Sequence, residues 1–166
     1  MPDVVRGGLE VLFVGINPGV QTARARHHFA NRQNLFWPLL AEAGFTPRRI
    51  APADERRLLD QGLGITNVVT RATPGSADVR AEDISHGRRR LESLVQEFGP
   101  AWLAFVGKQA FTMASGTKRP EHGPQGEAWA GTSCFVLPST SPANAAVPRD
   151  EKLAWFHRLR DAVRTG

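Results

Sequence analysis

The sequence contains one cysteine, Cys134, which excludes an internal disulfide and any cysteine-built metal or iron–sulfur centre and fits a reducing compartment. Long hydrophobic runs are also missing. No stretch approaches the roughly 20 apolar residues of a membrane span, and Met1 to Glu10 lacks the apolar centre of a secretory signal. The expectation is a soluble cytoplasmic protein without a membrane partner. His27 and His28 stand together with no second metal-type ligand at suitable spacing, so they read as polar surface, and no metal or other cofactor is expected. Internal repeats, long linkers and a glycine-rich Walker loop are absent as well. Charge is only mildly one-sided: 21 Lys and Arg against 16 Asp and Glu, a net +5, which favours a polyanionic partner without naming one.

What is present is 166 residues with 41% hydrophobic content, enough for one domain spanning residues 1–166 with its own core. Glu10–Val14 is a short apolar run cut off by Gly15, the pattern of a strand buried on both faces. Asn34 can cap a helix through Leu35, Phe36, Trp37, Leu39 and Leu40, ended by Gly44 and constrained by Pro38. Residues 52–61 read as a second helix stopped by Gly62, and residues 63–69 as a strand running into a loop at residues 71–77. Ile84, Leu91, Leu94, Val95 and Phe98 recur at helical spacing before Gly99-Pro100. Trp102–Val106 returns as a buried strand, Lys108–Ser115 as a short helix, and Ser133–Leu137 as the fourth strand after a turn-rich excursion over residues 116–131. A last helix starts near Pro148, with Leu153, Phe156, Leu159 and Val163 on its apolar face. Alternation of this kind predicts an α/β fold with a mostly parallel central sheet, whose ligands bind at the carboxyl ends of the strands.

Three post-strand loops carry unusual chemistry. Gly15-Ile16-Asn17-Pro18-Gly19 follows the first strand, and its proline biases Asn17 away from helical geometry, so the amide can be presented at the strand end. By itself the pentapeptide reads equally well as a tight exit turn. Arg24, Arg26, His27, His28, Phe29 and Arg32 then interleave cations with one aromatic, suited to phosphate contact and base stacking, or to a solvated basic loop. Gly107-Lys108-Gln109 places a lysine at a helix start, where backbone N–H groups and the helix dipole favour a phosphate. Leu137-Pro138-Ser139-Thr140-Ser141-Pro142-Ala143-Asn144 is a proline-stiffened hydroxyl loop able to bond phosphates. Arg88-Arg89-Arg90 sits on a helix and reads as a solvated basic face.

In combination and order these segments resemble the uracil-DNA glycosylase superfamily, in the branch of mismatch-specific uracil-DNA glycosylase and thymine-DNA glycosylase. The resemblance rests on Gly15–Gly19, Asn34-Leu35-Phe36-Trp37, Gly64–Val69 with Arg71–Ser76, Val106–Ala110 and Val136–Ser139. It implies a three-layer α/β/α fold around a sheet of four or five strands, and a monomeric, cofactor-free enzyme. That enzyme flips uracil or a mispaired pyrimidine out of DNA, releases the base and leaves an abasic site.

Carried onto this sequence, the resemblance makes Asn17 the residue that positions water at C1′, with Gly15 and Ile16 beside the base and backbone N–H groups near Ile16 holding the departing anion. Phe29 stacks on the base, and Thr22, or equally Gln21, lies near its outer edge. Lys108, Ser139, Thr140, Ser141 and Asn144 contact DNA. Asp78 has two readings: a carboxylate that activates water and balances the sugar cation, or a helix cap. Asp83 is a weaker candidate of the same kind. The family's wedge, a leucine or arginine that fills the hole left by the flipped nucleotide, aligns with Ala143, whose methyl group fills little; strict preference for a mismatch would then depend on Pro142 and Asn144. A rival reading is a non-catalytic nucleotide- or nucleic-acid-binding module, since fold alone never fixes chemistry.

Overall fold

In the computed structural model, which describes residues 2–126 and 128–165, every residue of β1 (Val11–Gly15) is buried. Its sequence is continuously apolar because both faces are covered. Phe13 faces α2 (Phe36–Glu42) and α5 (Arg149–Thr165), where Phe36, Leu39, Phe156 and Leu159 complete one core. Leu12 and Val14 face α3 (Ala81–Phe98) and α4 (Lys108–Ser115), where Leu91, Val95 and Phe111 complete the other. The two-residue period of a strand thus divides one run between two cores.

Around β1 stand β2 (Leu63–Asn67) and β3 (Trp102–Val106), both parallel to it, with Val11 opposite Leu63 and Trp102. A two-residue strand, β4 (Gly123–Pro124), pairs antiparallel with β5 (Ser133–Leu137), which runs parallel to β3. The order is β2-β1-β3-β5-β4, a five-stranded, mostly parallel sheet between helical layers, as the fold-class expectation had it.

Several local expectations are corrected. The excursion over residues 116–131 contains β4, too short to leave a periodic signal; its Glu127, like Met1 and Gly166 at the ends of the expected domain, lies outside the described residues. Residues 20–25 form a short helix, α1 (Val20–Ala25), inside what reads as a loop; it has no buried residue and so no apolar stripe to reveal it. Residues 52–61 are helical and stop at Gly62 as expected, as a 3-10 helix with a break at Asp54, whereas β2 ends at Asn67, not at Val69. Asn34 does accept the Phe36 N–H, at 2.9 Å, at the start of α2.

The Arg88–Arg90 run is not a solvated face throughout. Arg88 Nε donates to the Met113 carbonyl at 2.6 Å, joining α3 to α4. Arg90 is half-buried, pairs with Asp3 at 2.8 Å, and donates to Thr66 Oγ1 and to the Asn67 carbonyl. Gly87 permits this approach of α3 to β2: a β-carbon there would meet the Val68 carbonyl oxygen.

Candidate active site

Because β1, β2, β3 and β5 are mutually parallel, their carboxyl ends share one edge, and the loops leaving them enclose a cleft of about 960 Å³. Gly15, Ile16 and Asn17 line it at the exit of β1. This exit is zipped to that of β2, Val68 N–H donating to the Gly15 carbonyl and Val69 N–H to that of Ile16, each at 2.9 Å. Asn17 is then fixed by its side chain: Nδ2 donates to the Arg71 carbonyl at 3.0 Å and to Thr73 Oγ1 at 2.8 Å. Thr73 is buried and donates its own hydroxyl hydrogen to the Gly75 carbonyl at 2.6 Å, which leaves Oγ1 free to accept. Both amide hydrogens of Asn17 are thereby engaged. Its Oδ1 has no protein partner among the described residues and remains an acceptor at the cleft.

Asn67, to which the sequence alone assigns no role, lines the same cleft from the end of β2, 9% exposed and in register with Gly15. A β-carbon on Gly15 would lie 2.6 Å from Asn67 Oδ1, so glycine is what lets the Asn67 amide close on the end of β1; the Phe29 ring, at 3.5 Å, would be in ordinary contact. The available signal was a polar residue closing an otherwise apolar strand, which in a parallel sheet falls at the ligand edge. Phe29 is half-buried and stacks on Phe36 with ring centroids 4.3 Å apart and planes 23° apart. Its φ is 52°, in the left-handed region, which costs a residue with a β-carbon roughly 1–2 kcal/mol.

His28 departs from expectation. It is buried rather than surface, with Nδ1 3.1 Å from Glu55 Oε2, while half-buried His27 lies 3.7 Å from Glu55 Oε1. Burial pushes the Glu55 carboxyl up, but the hydrogen bonds from the His28 ring and backbone and the imidazole charges outweigh it, and the group sits below its ordinary value. Thr22 and Gln21 both line the cleft from α1, and Thr22 Oγ1 accepts from the Ala30 N–H at 3.4 Å.

The far wall holds the expected DNA-contacting residues. Lys108 is exposed at the start of α4, after Gly107, whose φ of 102° lets the backbone turn against Ser139. His122 joins it, its imidazole held below the ordinary value by burial and by the Lys108 charge. Ser139, Ser141, Ala143 and Asn144 line this side at least partly exposed, whereas Thr140 is 1% exposed with its Oγ1 buried, so its hydroxyl is packed inside the loop and, contrary to expectation, is not presented to DNA. Ser139 Oγ accepts from the Ser141 N–H and Ser141 Oγ from the Ala143 N–H, both at 3.2 Å, which sets the loop in two successive turns with Ala143 exposed at the tip. Buried Lys152 pins the loop's end, donating to the Asn144 carbonyl at 2.8 Å.

Two acidic candidates lie off the cleft. Asp78 is exposed, does not line it, and accepts the Gly75 N–H at 3.2 Å, closing the turn Ser76–Asp78. Asp83 is paired with Arg71 at 2.9 Å and caps α3 by accepting the Arg80 N–H; the Arg71 hydrogen bond holds its carboxyl below the ordinary value. Among the described residues no three His, Cys, Asp or Glu side chains gather as a metal-binding group, and no helix is long and apolar enough to cross a membrane.

A solution NMR structure from Methanosarcina acetivorans, described as a "putative Uracil DNA glycosylase", matches with TM-score 0.66 and 21% identity over 96% of this chain and 96% of that one, a likeness of fold. The family model described as the uracil DNA glycosylase superfamily matches residues 2–163. That match takes in all the loops that build the cleft, and the chain belongs to the uracil DNA glycosylase superfamily.

Proposed function

We propose that the protein excises uracil from DNA, favouring, within duplexes, uracil opposite guanine over uracil opposite adenine, as a monofunctional glycosylase of the mismatch-specific branch. It acts as a cytoplasmic monomer, needs no cofactor and leaves an abasic site. The observation that carries this reading is the state of Asn17: both amide hydrogens are tied to the 71–73 loop, and a single acceptor, Oδ1, is offered to the cleft. An amide oxygen accepts a hydrogen bond from water but is a poor base. It therefore suits a reaction in which bond breaking runs ahead of attack and the water needs orientation more than deprotonation.

The target nucleotide swings out of the duplex into the cleft. Its base stacks on the part of Phe29 that Phe36 leaves uncovered, with Gly15 and Ile16 against its edge and Thr22 near its rim. Asn67 presents a donor and an acceptor to the polar edge of the base, and the match of one amide to one imide is what a pyrimidine pocket needs. The C1′–N1 bond breaks with its electron pair leaving on the base, whose negative charge the backbone N–H groups near Ile16 stabilise. The water held by Asn17 Oδ1 adds to C1′ and releases its proton to solvent. Lys108, Ser139, Ser141 and Asn144 bind the flanking phosphates and hold the strand open.

Single-turnover release of uracil from DNA carrying it opposite guanine, opposite adenine or in a single strand tests this. Wild type is expected to release the base, and Asn17→Ala to lose at least about tenfold in rate with DNA binding retained. No release from any of the three, with tight retention of a nucleotide or salt-sensitive DNA binding instead, would make the protein a binding module.

A further inference from the structure

Phe29 adopts a backbone conformation that phenylalanine rarely takes, so its neighbours must hold it there. The residue before it is tied at three points. The His28 N–H donates to Glu55 Oε2 at 2.7 Å, its Nδ1 lies 3.1 Å from the same oxygen, and its carbonyl accepts from Trp37 Nε1 at 3.1 Å. On the other side, the Ala30 N–H donates to Thr22 Oγ1.

Glu55 comes from a different element, 27 residues further along the chain, and is 4% exposed. A carboxylate removed from water needs compensating partners. Every partner the structure gives Glu55 is His27 or His28, the two residues immediately ahead of Phe29. The second ring nitrogen of His28, Nε2, is buried with no partner among the described residues, so the only hydrogen bond orienting the imidazole is the one to Glu55.

We infer that Glu55 and His28 are positioning residues that hold Phe29 as a rigid stacking platform for the flipped base. The inference rests on the base-stacking reading of the cleft given above. Glu55 does not line the cleft and reaches it only through His28, which lines it next to Phe29. Their effect is transmitted through one strained peptide segment to the ring, so they act in series with Phe29.

The test combines a double-mutant cycle with amide hydrogen exchange on the full chain. Glu55→Ala is expected to slow single-turnover uracil release about tenfold, and the Glu55→Ala/Phe29→Ala pair to fall within about twofold of Phe29→Ala alone, since the platform can be lost only once. Effects that multiply would overturn the inference. Amide exchange at residues 28–30 should rise at least about tenfold in Glu55→Ala while the β1 and β3 amides keep wild-type protection; unchanged exchange at residues 28–30 would overturn it as well. This readout needs no base release, so deprotection in a protein that proves unable to excise uracil would sink the glycosylase reading and leave the positioning role standing. Should Glu55→Ala fail to fold, Glu55→Gln keeps the volume and one acceptor. It is then expected to show partial slowing and partial deprotection, and wild-type values in both would count against the inference.

Discussion

Asn17 donates its side-chain amide to Thr73 Oγ1 at 2.8 Å, joining residues 56 positions apart in the sequence. That bond decides which end of the amide faces the cleft, because Nδ2 is drawn to the 71–73 loop and Oδ1 is left over. Thr73→Val removes the acceptor with little change of shape. The expected outcome is a loss of about tenfold in the single-turnover rate with unchanged affinity for uracil-containing DNA. Wild-type rates in this variant would mean that the bond to the Arg71 carbonyl alone suffices to orient the amide.

Gly15→Ala is expected to displace the Asn67 side chain. The added methyl would lie 2.6 Å from Asn67 Oδ1 and 3.5 Å from the Phe29 ring, inside a buried strand end. Overpacking of this kind destabilises by roughly 1–3 kcal/mol, and displacement of Asn67 should weaken binding of the base. Thermal unfolding together with the KM for a uracil-containing oligonucleotide checks both effects. A variant with wild-type KM would remove Asn67 from base recognition.

The two acidic candidates beside the cleft should separate cleanly from Asn17. Asp78→Asn keeps an acceptor for the Gly75 N–H and changes nothing that lines the cleft, so its rate should stay within about twofold of wild type. Asp83→Asn loses the Arg71 pair that braces the loop whose carbonyl, at Arg71, holds Asn17, and is expected to be the slower of the two variants. A rate for Asp78→Asn at least about tenfold below wild type would restore Asp78 as the residue that activates water.

Acid should loosen the platform. The folded Glu55 carboxyl sits below its ordinary value of 4.5, so its contribution to stability is fully present above that value and is lost as pH falls through the lower folded value. The expected outcome is a fall in Tm of wild type below about pH 4.5, and a shallower fall in Glu55→Gln, measured by thermal scans across that range. Parallel curves for the two proteins would show that the carboxylate contributes nothing through ionisation.

Ala143 is exposed at the tip of the last loop, and under the proposed base-flipping reaction its methyl group would fill little of the place a flipped nucleotide leaves. Uracil in a single strand should therefore be released at least as fast as uracil opposite guanine. Ala143→Arg should raise the duplex rate several-fold, by filling the gap and adding a phosphate partner, without changing the single-strand rate. Equal effects on both substrates would mean that the residue does not enter the helix.

The layered α/β architecture was legible because long, strongly patterned segments announce themselves. Trp102–Val106, Lys108–Ser115 and Ser133–Leu137 fall in the structure at the boundaries their sequences imply. The elements that escaped have no such signature. α1 buries none of its residues, and β4 is two residues long, held in place by β5 rather than by its own preference. The Gly15–Gly19 loop, the aromatic at Phe29 and the hydroxyls at residues 139–141 could be picked out in one dimension because their residue types are unusual after a strand.

The sequence by itself determined which strands are buried on both faces, that their loops carry the chemistry, and which family motif those loops spell. Only the tertiary structure decided how those residues are used. Asn67 joins Asn17 at the cleft through the parallel register of β2 on β1, Glu55 reaches His28 across 27 residues, and Arg90 turns inward to the end of β2 while Asp78 closes its own 3-10 turn. The physical reason is that periodicity encodes which face of an element is buried, whereas a hydrogen bond between remote side chains depends on distances that exist only after the elements have packed.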